Sequence, residues 1–194
     1  WERACSRRMS SVLVQSFPRQ ITLAENGWCL RVNRFCARQG VLRYFSLVSR
    51  LGDGVFWYAL MGLLILCDGM RGLEASGHLA LTGLVALLLY KGLKRWTPRP
   101  RPFASDLRIR AWVAPLDEFS FPSGHTLHAV GFSLVAMAHY PVLAWLLVPF
   151  TASVAVSRVV LGLHYPSDVL AATGIGCALA SLSLWLVPGV SLFG

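Results

Sequence analysis

Charged residues divide the chain into a few long apolar runs. Gly54 to Cys67 lies between Asp53 and Asp68, and Ala75 to Tyr90 lies between Glu74 and Lys91. Phe119 to Ser157 is 39 residues without Lys, Arg, Asp or Glu, and Val169 to Gly194 is again uncharged. A charge at mid-bilayer costs about 3 kcal/mol or more, so these runs are candidate membrane spans. At ~1.5 Å per residue the 39-residue run covers about two bilayer cores and must fold back once. His139-Tyr140-Pro141 is the natural turn, because proline cannot continue a helix interior. The last run, ending near Pro188-Gly189, carries Ala171, Ala172, Gly174, Gly176, Ala178 and Ala180, as close helix packing in lipid requires. The pattern predicts an all-α, polytopic membrane helix bundle of about five transmembrane helices.

The first fifty residues differ: nine Arg interrupt every apolar stretch. Leu30, Val32, Phe35, Leu42, Phe45 and Val48 interleave with these cations, which suits helices lying in the bilayer interface. The expected organisation is a basic segment, 1–50, with interfacial amphipathic helices, followed by a transmembrane domain, 51–194. No charged start with an uninterrupted apolar core marks a signal peptide.

Composition supports a bilayer as the solvent: 55% of residues are hydrophobic and 14% charged, against roughly 25% charged in a soluble domain. Five cysteines, Cys67 and Cys177 inside proposed spans, do not make a disulfide framework, and Cys29 and Cys36 lack the partners of a zinc site. The net charge of +9 lies beside apolar spans, so anionic lipid headgroups, not nucleic acid, are the expected partner.

Three polar clusters fall at span ends, and the alternation of five spans brings them to one side of the membrane. In Lys94-Arg95-Trp96-Thr97-Pro98-Arg99-Pro100-Arg101-Pro102, repeated proline keeps the chain extended and projects cations suited to phosphate; a plain basic loop is the simpler reading. Phe121-Pro122-Ser123-Gly124-His125 opens a span, with Ser123 placed to cap, Gly124 letting a ligand approach, helix amides attracting anions, and His125 able to give a proton to a leaving oxygen. The third cluster runs from Ser157-Arg158 through His164 to Asp168. Its arginine needs an anion, and His164 with Asp168 suits a carboxylate-oriented imidazole nucleophile. A structural Arg158–Asp168 salt bridge is the plainer alternative.

Together the clusters resemble the type-2 phosphatidic acid phosphatase superfamily, with its Lys-x6-Arg-Pro, Pro-Ser-Gly-His and Ser-Arg-x5-His-x3-Asp signature, shared with vanadium haloperoxidases. The matching positions are Lys94 to Arg101-Pro102, Pro122 to His125, and Ser157-Arg158 to His164 to Asp168. The resemblance implies a membrane lipid phosphatase acting on phosphatidic acid, phosphatidylglycerol phosphate or a polyprenyl diphosphate. His164 would carry a phosphohistidine, Asp168 would hold its other ring nitrogen, and His125 would protonate the leaving group. Lys94, Arg101, Arg158, Ser123 and Gly124 would bind the phosphate oxygens. No metal or cofactor is implied. A lipid phosphotransferase is the alternative, and an inactive membrane scaffold a remote one.

Outside the signature, Arg99 reads as a further phosphate contact or a loop charge, and His128 as a packed helix histidine. Asp117 and Glu118 are placed to pair with the cationic strip in the absence of substrate. Trp57, Tyr58, Tyr90, Trp96, Trp112 and Trp145 fit an interfacial belt. With five spans, 17 of the 18 Lys and Arg, all but Arg71, share the side of the clusters. The positive-inside rule then favours the cytoplasmic face, whereas the resemblance to bacterial members of the family leaves the outer face as the alternative; the expectation is a bacterial inner-membrane protein with its site at the cytoplasmic face.

Overall fold

The computed structural model describes residues 19–187, and no strand occurs among them. Helix α1 is Arg19–Asn33, followed by a 3-10 turn, Arg34–Ala37, and α2, Gln39–Arg50. A π turn, Leu51–Val55, leads into the long α3, Phe56–Trp96; the short α4 is Pro102–Ser105. Helix α5 is Gly124–His139, α6 is Ala144–Val160 and α7 is Pro166–Leu186.

Helix α3 is a hairpin. Gly69 leaves helical geometry at φ 52°, ψ −118°, a conformation glycine adopts without steric cost. The two arms then run antiparallel: Ser76 Oγ donates to the Met61 carbonyl at 3.0 Å, and a side chain at Gly72 would collide with the Leu64 carbonyl. The break predicted between Cys67 and Ala75 is therefore present, and so is the turn at 139–141, where Tyr140 ends α5 and Pro141 opens a 3-10 turn.

Helix α5 sits between α3, α6 and α7. The face of α7 turned inward is Asp168, Ala172, Gly176, Ala180 and Leu184, one residue per helical turn. Half of the predicted small-residue set is on that face; Gly174 and Ala178 are exposed instead. A Cβ on Gly176 would lie 3.0 Å from the Leu127 carbonyl oxygen and from Val130 Cβ. Around the outside, Leu66, Met70, Leu88, Trp145, Leu170 and Trp185 are exposed, a surface that requires an apolar solvent. Three stretches, Gln39–Trp96, Pro141–Val160 and Pro166–Leu186, are long and apolar enough to cross a membrane. Helix α5, at 16 residues, is shorter than these.

The basic N-terminal helices are built into the bundle. Cys29, Asn33, Cys36, Val48 and Ser49 are buried, while Arg31, Arg34, Arg38, Arg43 and Arg50 face outward. The Asn33 amide donates to the carbonyls of Arg110 and Val160 at 2.9 and 3.0 Å and accepts the Arg110 N–H at 3.0 Å. One side chain thereby ties α1 to the α4–α5 loop and to the end of α6. The segment before residue 19 and the end of the last predicted span, Pro188-Gly189, lie outside the described residues.

Candidate active site

At the end of the bundle where α1 and α2 pack, a cavity of about 420 Å³ opens among the π turn, α3, α5 and the α6–α7 turn. Lys94, Arg101, Gly124, His125, Arg158 and His164 line it. Six of the eight expected site residues thus share one cavity. Ser123 and Asp168 stand behind its wall, both fully buried.

His164 is placed by the turn after α6. The Arg158 carbonyl accepts the Leu163 and His164 amides at 3.1 and 3.0 Å, and Gly162 supplies the left-handed residue, φ 78°. A Cβ at Gly162 would stand 2.6 Å from the Arg110 carbonyl oxygen, so only glycine fits. His164 Nδ1 lies 2.6 Å from the Ser120 carbonyl oxygen. A carbonyl only accepts, so Nδ1 carries the proton and Nε2 keeps its lone pair. That Nε2 faces the Arg101 guanidinium at 3.3 Å. Burial, then the charges of Arg158, Arg101 and Lys94, push the His164 imidazole well below its usual range, so the ring is neutral and nucleophilic.

The expected partner of Nδ1 was Asp168, but its Oδ2 is 3.8 Å away, beyond hydrogen-bond range. Asp168 instead accepts the Tyr165 N–H at 2.8 Å and an Arg99 N–H at 2.7 Å. The Arg158–Asp168 salt bridge does not form, for Arg158 donates to Ser49 Oγ of α2 at 2.5 Å. Arg99 faces neither the cavity nor solvent: it is 3% exposed and bridges Asp168, Ser167 and Glu25. Ser123 occupies the N-cap position of α5, yet its hydroxyl meets Thr126 Oγ1 at 3.0 Å and caps no amide.

Asp117 occupies the middle of the cationic strip, as its position before α5 suggested. Its Oδ1 accepts from Lys94 Nζ at 2.5 Å and Arg101 Nη2 at 2.7 Å, and its carbonyl accepts from Arg101 Nε at 3.0 Å. Burial works to raise the Asp117 carboxyl, but the two ion pairs prevail and hold it below the usual carboxylate range. Burial also lowers the Arg101 guanidinium, an effect that Asp117 opposes.

Asp53 was missed. It lines the cavity and pairs with His125 Nε2, carried there by a π turn whose Gly54 sits at φ 133°. An acid flanked by Gly52 and Gly54 at the mouth of an apolar run was the available signal. His128 packs on its own helix, with Nδ1 2.9 Å from the Gly124 carbonyl oxygen and its ring beside those of Tyr90 and Phe132, but it also lines the cavity, which its reading as a packed helix histidine did not include. Of the proposed belt, Tyr58, Trp96 and Trp145 are exposed, but Trp57 is 2% exposed and packs on Phe56, Phe132 and Phe150.

A profile described as the PAP2 superfamily matches residues 75–191, which include all three clusters. The chain belongs to the PAP2 superfamily. Phosphatidylglycerophosphatase B of Escherichia coli (strain K12) is 36% identical, over 86% of this chain and 79% of its own length. The protein of that name from Bacillus subtilis (strain 168) is 34% identical over 74% and 65%. Undecaprenyl-diphosphatase BcrC of the same strain is 28% identical over 70% and 73%. Among solved structures, the transmembrane PAP2 type phosphatidylglycerolphosphate phosphatase from Bacillus subtilis superposes with a TM-score of 0.70 at 22% identity, over 90% of both chains. Aquifex aeolicus LpxE gives 0.69 at 24% identity, over 80% of this chain and 92% of its own. These two share the fold. With three apolar stretches long enough to cross a bilayer, this PAP2 chain is a membrane protein.

Proposed function

We propose that this PAP2 protein is a lipid phosphatase that hydrolyses phosphate mono- or diphosphate esters through a phosphohistidine on His164 Nε2. The observation that carries the reading is the His164 ring, with Nδ1 bonded to the Ser120 carbonyl and a lone pair on Nε2 facing a cavity lined by Lys94, Arg101 and Arg158. Nε2 attacks phosphorus as the bond to the leaving oxygen breaks, and His125 delivers the proton that oxygen needs. Water then attacks the phosphohistidine, gives its proton back to His125, and releases phosphate with His164 restored. The three cations and the amides opening α5 stabilise the charge on the equatorial oxygens. This route requires no metal ion.

Part of the cavity lining, with Trp57, Met61, Leu84, Leu87 and Phe132, is apolar, which supports a substrate whose hydrocarbon part lies in the bilayer. The names of the relatives support phosphatidylglycerol phosphate and undecaprenyl diphosphate as first candidates. Five spans, with α3 supplying two and α5 the third, together with interfacial seating of 1–50 and a cytoplasmic site, complete the proposal; the outward arginines of α1 and α2 at the site end support it.

The test is phosphate release by the purified, detergent-solubilised protein with a chelator present. The substrates are phosphatidic acid, phosphatidylglycerol phosphate and undecaprenyl diphosphate, with His164→Ala alongside. Release that survives chelation and vanishes in the variant is expected. No release from any of these lipids overturns the hydrolase reading in favour of a transferase.

A further inference from the structure

Behind His164 lies a chain of buried charges outside the signature. Arg99 donates to Asp168 Oδ1 and Ser167 Oγ, each at 2.7 Å, and to Glu25 Oε2 of α1 at 2.6 Å. Glu25 Oε1 accepts the Ser167 N–H at 2.8 Å, in the first turn of α7. The Arg99 guanidinium lies 3.9 Å from the Tyr165 ring centroid. The Arg99 carbonyl accepts the Ser120 N–H at 2.9 Å, and the Ser120 carbonyl is the acceptor of His164 Nδ1. Arg99 therefore sets both groups behind the imidazole, Asp168 through its side chain and Ser120 through its backbone.

We propose that Glu25 and Arg99 are positioning residues for His164, which makes the N-terminal helix part of the catalytic unit. The inference rests on the phosphohistidine reading above. Arg99 by itself would cancel the Asp168 charge, whereas Glu25 restores a net negative charge behind the ring. That charge favours the cationic imidazole created when Nε2 takes the phosphoryl group. Neither residue lines the cavity, so their removal acts on turnover more than on substrate binding. Glu25 also precedes the segment that matches the PAP2 profile, 75–191.

The experiment measures kcat and KM for a short-chain phosphatidic acid in detergent, below the unfolding temperature of every variant. Glu25→Gln keeps the shape and loses the charge; Glu25→Asp keeps the charge. The expected result is a kcat about tenfold lower for Glu25→Gln, the scale of lost orienting partners, with KM within about twofold. Glu25→Asp retains most of the turnover, the reverse of the ranking that shape alone would give. Arg99→Lys, which keeps the cation but lacks the planar fork, shows the same kcat loss at unchanged KM and serves if Glu25→Gln does not fold. A folded Glu25→Gln or Arg99→Lys with wild-type kcat, or with a loss confined to KM, overturns the proposal. An inactive wild type instead overturns the phosphatase reading.

Discussion

The two nitrogens of His164 have different surroundings, and the difference comes from one backbone oxygen. Because the Ser120 carbonyl can only accept, the ring presents an unprotonated Nε2 to the cavity. Burial and the surrounding cations push this imidazole well below its usual range, so protonation, which abolishes nucleophilicity, requires a pH well below that of a free histidine, about 6.5. Once the ionisation of the substrate phosphate, at about 6, is allowed for, the acid limb that the enzyme itself gives to kcat/KM is expected well below that value, and an enzyme limb at about 6.5 or above contradicts the neutral ring. Residues of this kind were legible in the chain because their chemistry recurs at fixed short spacings: Ser157, Arg158, His164 and Asp168 are readable together. Glu25, Asp53 and Ser120 were not. The first two are single acids that meet their partners, Arg99 and His125, across 74 and 72 positions, and Ser120 acts through its main chain, which no side-chain pattern marks.

Among the elements, α7 shows how a polar first turn and an apolar remainder serve one site. The helix brings Asp168 under the turn that carries His164 and then packs Ala172, Gly176 and Ala180 against α5. A side chain at Gly176 meets the Leu127 carbonyl and Val130 at 3.0 Å, so Gly176→Leu forces α5 and α7 apart, at a cost of about 1–3 kcal/mol. Thermal unfolding in detergent is expected to show a lower midpoint for this variant, whereas Gly174→Leu, with open space around its Cβ position, leaves the midpoint unchanged. The spans and the turn at 139–141 could be read from uncharged runs and proline. The polar part of the buried seam of α1 and α2 could not, because Cys29, Asn33, Cys36 and Ser49 are small or polar residues scattered among exposed arginines. Of the apolar residues in the pattern, Val48 is buried and Leu30, Val32, Leu42 and Phe45 pack against the core, so hydrophobic periodicity registered that half of the seam and only Phe35 points away from it. Cys29 illustrates the seam: burial, with Glu25 and Asp168 nearby, pushes its thiol up to about 12, leaving a packing group rather than a reactive one.

For the molecule as a whole, the apolar surface faces outward along the helices and most of the charges gather at one end, with Asp68, Arg71 and Glu74 at the opposite one. At the site end Lys94, Arg99, Arg101 and Arg158 stand among Asp53, Asp117, Asp168 and Glu25. The site is thus an internal salt, and on the proposed reading the arrival of phosphate is an ion exchange in which one resident carboxylate, that of Asp117, gives way to the incoming anion. A site that carries its own counter-ion draws little on the ions of the medium, so KM for a lipid phosphate in neutral micelles is expected to change only weakly from low to physiological salt. Asp117→Asn removes that resident ion. It should tighten competitive inhibition by inorganic phosphate about fivefold, on the ~1 kcal/mol scale of a partly exposed ion pair, and should make KM rise more steeply with salt as small anions take the vacated place. Equal salt dependence in the two proteins would show that Asp117 does not act as the exchangeable ion.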